Sequence, residues 1–100
     1  MSVPKAYVYV ELVVRDPDNF KEHYQPRSTA AVAAFGGKFL MRGGEVAIKA
    51  GPSDERRRVL IEFESYEIAH AFWDSPAHQE AKIYRDKYAH TITFYLMQGS

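Results

Sequence analysis

The stretch YVYVELVVRDPDNF, Tyr7–Phe20, decides the fold. Tyr7 to Val14 is rich in β-branched and aromatic residues, which predicts a strand. The strand ends at Arg15. Asp16 is a good helix N-cap, Pro17 suits the first helical position, and Asp18 favours the positive end of the helix dipole. A strand that turns straight into a capped helix begins an α+β unit.

Phe20, Tyr24, Arg27 or Ser28, Ala31 and Phe35 recur at helical spacing and make the buried stripe of this helix. Pro26 lacks an N–H and crowds the preceding turn, so a break or kink is expected there, with a second piece beginning at Arg27. Gly36 stands where a left-handed C-cap residue belongs. A short strand, Lys38 to Arg42, follows. The pair Gly43–Gly44 interrupts it as a bulge or kink, and Glu45 to Lys49 resumes extended alternation. No helix N-terminus follows either glycine pair closely, so these are not phosphate cradles. AGPSDE is a turn, and RRVLIEFE, Arg57 to Glu64, is a third strand. Ser65 caps a second helix whose buried face is Ile68, Ala69, Phe72 and Trp73. Ser75 and Pro76 restart the helix, with Ala77, Ala81, Tyr84 or Arg85, and Tyr88 as its stripe. Thr91 to Met97 is the last strand.

The order β-α-β-β-α-β is the ferredoxin-like pattern: an α+β fold with an antiparallel sheet and both helices on one face. Residues 1–100 form a single domain. The opposite sheet face is too aromatic to leave wet, and a second copy is its natural cover, giving a homodimer.

Composition narrows the function. The chain is 46% hydrophobic, and 13 basic residues balance 13 acidic ones. Such balance argues against nucleic acid or an anionic membrane as partner. There is no cysteine, which removes disulfides, thiolate zinc sites and cysteine nucleophiles and fits a cytoplasmic location. The apolar N-terminus lacks a charged n-region and a cleavage site, so it reads as a strand and not a signal peptide. No apolar run reaches membrane-spanning length.

The segments RDPDNFKEHY, AAFGGKFLMRGG, VLIEFES and AHAFWDSPAHQEAKIYR together resemble the domain-of-unknown-function 1330 family over nearly the whole chain. His78 stands where a tyrosine often precedes the glutamine in that family. The resemblance implies a dimeric α+β barrel, two ferredoxin-like sheets packed face to face, and a 4-1-3-2 strand order. It also implies a menu of relatives: cofactor-free monooxygenases, muconolactone isomerase, polyketide cyclases, stress-response barrels and haem-degrading oxygenases.

Strand alternation sorts the side chains. Val8, Val10, Leu12 and Val14 face the helices, as do Val59, Ile61 and Phe63, and Ile92, Phe94 and Leu96. Tyr7, Tyr9 and Glu11, then Arg58, Leu60, Glu62 and Glu64, then Thr93 and Tyr95, face the barrel. Lys38, Leu40 and Arg42 share one face of their strand. If that face is the barrel, Arg42 joins the set. With the implied strand order, Glu11 and Glu62 share a face, where one of them is a general base of raised pKa unless Arg42 or Arg58 neutralises it. Glu62, Glu11 and Arg42 are therefore the catalytic candidates, and Tyr9 and Tyr95 polar positioning groups. The alternative is an ion-pair network that fixes dimer register.

A second set, Tyr24, Trp73, Ser75, His78 and Tyr84, lies on or between the helices. Trp73 with Phe20, Tyr24 and Phe35 could line a substrate pocket, or be ordinary core with a Ser-Pro cap. His78, in a first helical turn, reads as an exposed surface histidine. Glu67-x-x-His70 occurs once, and His23, His78 and His90 show no paired spacing, so neither a metal nor another cofactor is expected. DERRR, Asp54 to Arg58, reads as a solvated charge cluster.

Two functions follow: a small-molecule isomerase, cyclase or cofactor-free oxygenase, or a non-catalytic small-molecule-binding or accessory module. A haem-related oxygenase rests on superfamily analogy alone.

Overall fold

The structure, a computed structural model, describes residues 3–100. Strand β1 (Ala6–Val14) leads through α1 (Pro17–Asn19), a π-helical turn (Phe20–Tyr24) and α2 (Gln25–Ala34) to β2 (Lys38–Arg42) and β3 (Arg57–Phe63). Helices α3 (Tyr66–Asp74) and α4 (Pro76–Tyr88) then lead to β4 (Ala89–Gln98). The sheet is antiparallel in the order β2-β3-β1-β4, the order expected of a ferredoxin-like domain.

The caps are local chemistry. The Asp16 carboxylate accepts the Asn19 backbone N–H at 3.3 Å and the Asn19 side-chain amide at 2.8 Å, and these bonds hold its pKa below the ordinary value. The Ser65 hydroxyl accepts from Ile68 N–H. Gly36, at φ +69°, ends α2 with its N–H on the Ala33 carbonyl.

Pro26 does not break the helical path. Tyr24 and Gln25 keep right-handed helical angles. The turn before the proline widens instead, with the Gln25 N–H reaching five residues back to the Phe20 carbonyl.

The helix side of the sheet holds the core. Val8, Val10, Leu12, Ile61 and Phe63 are buried against Phe20, Ala31, Val32, Ala69 and Phe72. The molecule is a slab of 42 × 34 × 17 Å, the thickness of one sheet and one helical layer. The other sheet face is open, with Met41, Tyr95 and Met97 all exposed.

Three expectations are corrected here. Register shifts in β2 between Phe39 and Met41 and in β4 between Thr91 and Thr93. In β2 the extra residue is Leu40. Lys38 stays opposite Glu62 while Arg42 comes opposite Val59, so Lys38 and Arg42 lie on opposite faces. In β4 Thr91, not Ile92, stands opposite Leu12, and Ile92 is 40% exposed. Finally, Glu45 to Lys49 forms no strand, and Val46 and Ile48 are exposed.

Candidate functional site

Between the helical layer and the sheet lies a slot. Val10, Leu12, Val59, Ile61 and Phe94 form its floor, Phe20, Tyr24, Ser28 and Phe72 its roof, and His78 its inner wall. Phe39, Arg42 and Arg57 line it on the β2–β3 side. The room left for a water-sized sphere is about 20 Å³, enough for roughly one ordered water.

Arg42 enters the slot because of the Leu40 bulge. Its guanidinium lies 4.0 Å from the Phe39 ring centroid and donates to the Gln25 carbonyl at 3.1 Å. Burial lowers its pKa, with the Arg57 charge acting the same way against the raising influence of Tyr24. Arg57 in turn donates to the Arg42 carbonyl at 3.2 Å. Among the described residues, no carboxylate comes within 4.0 Å of either guanidinium. The slot has no acidic residue in its lining.

His78 is not on the surface. It is 4% exposed and packs on Phe72, Trp73 and Phe94 at centroid distances of 4.6, 5.0 and 5.4 Å. Its Nε2 has no hydrogen-bond partner. Loss of water, then the charges of Arg85 and Lys82, push its pKa down to about 4, so the ring is neutral at pH 7. The buried positions of α4 are His78, Ala81 and Arg85, so the stripe runs through the polar residues while Ala77 is exposed.

Ser75 caps the helix that carries this ring. Its hydroxyl donates to the Phe72 carbonyl at 2.7 Å and accepts from His78 N–H at 3.1 Å. Tyr24 lines the slot, stacked obliquely on Phe20 at 4.9 Å. Trp73 and Phe35 do not line it. Trp73 packs on Phe94 at 4.7 Å and lies beside His70 and Leu96 in a shallow depression. Tyr84 lies under Arg27, 3.9 Å from the guanidinium, with His23 stacked on it.

The sheet-face carboxylates are separated. Glu62 pairs with Tyr7, and Glu11 with Arg58. Those positions are four residues apart along β1, roughly 13 Å of strand. Glu11 is held by Arg56 and Arg58 at 3.4 and 3.3 Å, and Arg58 by Asp54 at 2.8 Å. The Arg58 hydrogen bonds hold the Asp54 pKa down, and Asp54 holds the Arg58 pKa up. Residues 54–58 therefore do not form a simple solvated cluster. Alternation sends Arg58 to the open face and Arg57 to the slot. Glu62 receives the Tyr7 hydroxyl at 3.4 Å, and Tyr9 stands opposite Tyr95 and Leu60. Arg42 is remote from both acids, on the other side of the sheet.

Among the described residues, no three histidine, aspartate or glutamate side chains gather as metal ligands, and no helix is long and apolar enough to cross a membrane.

The family model of a domain of unknown function, DUF1330, matches residues 5–100. The chain belongs to that family. No curated protein matches the sequence. Among solved structures, this DUF1330 chain is similar to RPA0582, a protein of unknown function from Rhodopseudomonas palustris. The TM-score is 0.70 at 21% identity, over 95% of this chain and 80% of that one. It is also similar to SnoaB, a cofactor-independent oxygenase from Streptomyces nogalater, with a TM-score of 0.62 at 9% identity, over 98% and 95% of the two chains. A dimeric ferredoxin-like protein of unknown function from Thermobifida fusca aligns with a TM-score of 0.52 at 13% identity, over 100% and 94%. At these identities the likeness is one of fold: a ferredoxin-like α+β domain.

Proposed function

We propose that the protein binds a small organic molecule in the slot between helices and sheet and moves a proton on it without a metal or nucleotide cofactor. The observation that carries this is the neutral, buried His78, which lines an apolar slot beside two arginines without acidic partners and whose Nε2 has no partner. A neutral imidazole in a dry site is ready to accept a proton. The proton would pass from a carbon or hydroxyl of the ligand to Nε2, leaving the electron pair on the ligand as an enolate. Arg42 and Arg57 would stabilise that charge where water cannot screen it. Developing anion beside the ring also raises the histidine's basicity as the proton arrives. This step is common to isomerase chemistry and to oxygenation without a cofactor, and SnoaB is described as an oxygenase of that kind.

A second reading is a binding module without chemistry. The small free volume constrains both readings alike, since sites for drug-sized ligands run to roughly 300–1,000 Å³. The slot must open by movement of Tyr24 or Phe94 to admit a substrate, and a haem has no room in it.

The open sheet face is the place for a second copy, by analogy with the dimeric Thermobifida fusca protein. On this reading Glu11, Arg58 and Glu62 act in dimer register and not in the reaction.

Thermal-shift screening of small enolisable carbonyl compounds against the wild type, His78→Leu and Arg42→Ala tests the slot. Compounds that stabilise the wild type should lose their effect in both variants. Stabilisation that survives in both would place binding elsewhere and end this reading.

A further inference from the structure

Arg85 is the most deeply buried charge in the described residues, 1% exposed. Its Nε and Nη1 are buried with no hydrogen-bond partner. The nearest carboxylate is Asp86, 3.9 Å from Nε, and Asp86 is half exposed and holds Lys82 at 2.7 Å. The guanidinium instead lies 4.9 Å from the centroid of Phe94, the ring that also contacts His78 and floors the slot. Burying an unpaired guanidinium is costly, and a face-on aromatic ring offsets only part of it. On β4, opposite Leu12, the buried Thr91 hydroxyl is likewise without a partner.

Two arginines thus line a slot that carries no acid, and a third, Arg85, lies against the Phe94 ring that floors it, in a chain of zero net charge. The geometry points to Arg85 as the inner anchor of an anion site: the carboxylate of a small organic acid enters past Arg42 and Arg57, turns the Phe94 ring aside, and is held on one edge of the Arg85 guanidinium, Nε with Nη2 or Nη1 with Nη2, so that one of the two unpartnered nitrogens gains its acceptor. The planar guanidinium fork matches a carboxylate in two parallel hydrogen bonds, which one buried water cannot supply. This rests on the slot reading above and gives it a substrate class, organic anions.

Thermal unfolding of the full chain in acetate and benzoate tests it, with acetamide and benzamide as neutral isosteres and sodium chloride at matched ionic strength. The proteins are the wild type, Arg85→Met and His78→Leu. The carboxylates should raise the wild-type midpoint by ~5 °C at concentrations far above their Kd, while chloride and the amides leave it unchanged. Arg85→Met should unfold at a higher midpoint than the wild type in plain buffer and lose the carboxylate response. If Arg85→Met does not fold, Arg85→Lys, which keeps the charge but not the fork, should show a weakened response. A wild type indifferent to both carboxylates, or an undiminished response in the Arg85 variants, overturns the proposal. If the amides stabilise the wild type through His78 and the carboxylates add nothing, the slot survives and the anion anchor falls. If no compound acts, both fall.

Discussion

His78 couples the stability of the protein to pH. The folded chain holds the ring at a pKa of about 4 against an ordinary 6.5, because the imidazole lies among Phe72, Trp73 and Phe94 with almost no water. Between those two values the unfolded chain carries a proton at this site that the folded chain lacks. Stability therefore rises with pH across the window, is fully present above 6.5, and is lost as the pH falls towards 4. The two and a half units would amount to about 3.4 kcal/mol in the limit, of which about 2 kcal/mol is gone by pH 5. His78→Leu removes the titrating group and keeps an apolar side chain against the same rings. Urea unfolding of both proteins, at one protein concentration, near pH 7.5 and near pH 5 isolates the contribution, because every other titrating group cancels in the difference. The wild type should lose about 2 kcal/mol more than the variant on acidification. Parallel losses in the two proteins would refute the argument, since they would mean that the folded state protonates His78 as readily as the unfolded one does.

Three further outcomes follow from the packing. Ser75→Ala removes a buried hydroxyl that caps α4 and anchors to Phe72, and should cost about 1–2 kcal/mol by chemical denaturation; a neutral result would mean the cap is idle. Gly37→Ala sets a methyl 2.7 Å from Phe63 and from Val32, both core residues, and should lower stability by about 1–3 kcal/mol, read as a drop in thermal midpoint that Gly36→Ala, with open space around it, shows only through its strained φ. Leu60→Asp, opposite Tyr9 and Met41 in the middle of the open face, should convert a dimer to a monomer in sedimentation velocity; a wild type that already sediments as a monomer removes the second copy from that face.

Much of the fold could be read directly from side-chain chemistry. Asp16, Ser65 and Ser75 announce their helices, because a capping oxygen needs only the next three residues to act. The alternation in β1 places Val8, Val10 and Leu12 correctly, since β1 pairs in unbroken register with β3. The site was less legible. Alternation assigns a face only while the register holds, and the extra residue at Leu40 moves Arg42 across the sheet. Nothing in KFLMR marks that excess, because a bulge answers to the twist of the whole sheet. His78 was hidden by the opposite difficulty. Its spacing with Ala81 and Arg85 is helical, but a histidine and an arginine look like a solvated face, and only packing shows that they lie inward. The separation of Glu11 from Glu62 depends on where two strands meet, which residue patterns within either strand do not state.

The same two irregularities have a colloidal consequence. Strands β2 and β4 are the borders of the sheet, and each carries one residue more than its neighbour can match. A border with unsatisfied backbone groups invites another chain to add a strand, and then another, without limit. At Leu40 and beside Ile92 that row of groups is broken and bent, so a newcomer cannot stay in step along the full length. The interruption that brings an arginine into the slot also helps keep the sheet at four strands, which leaves its open face, rather than its borders, as the surface on which copies can meet.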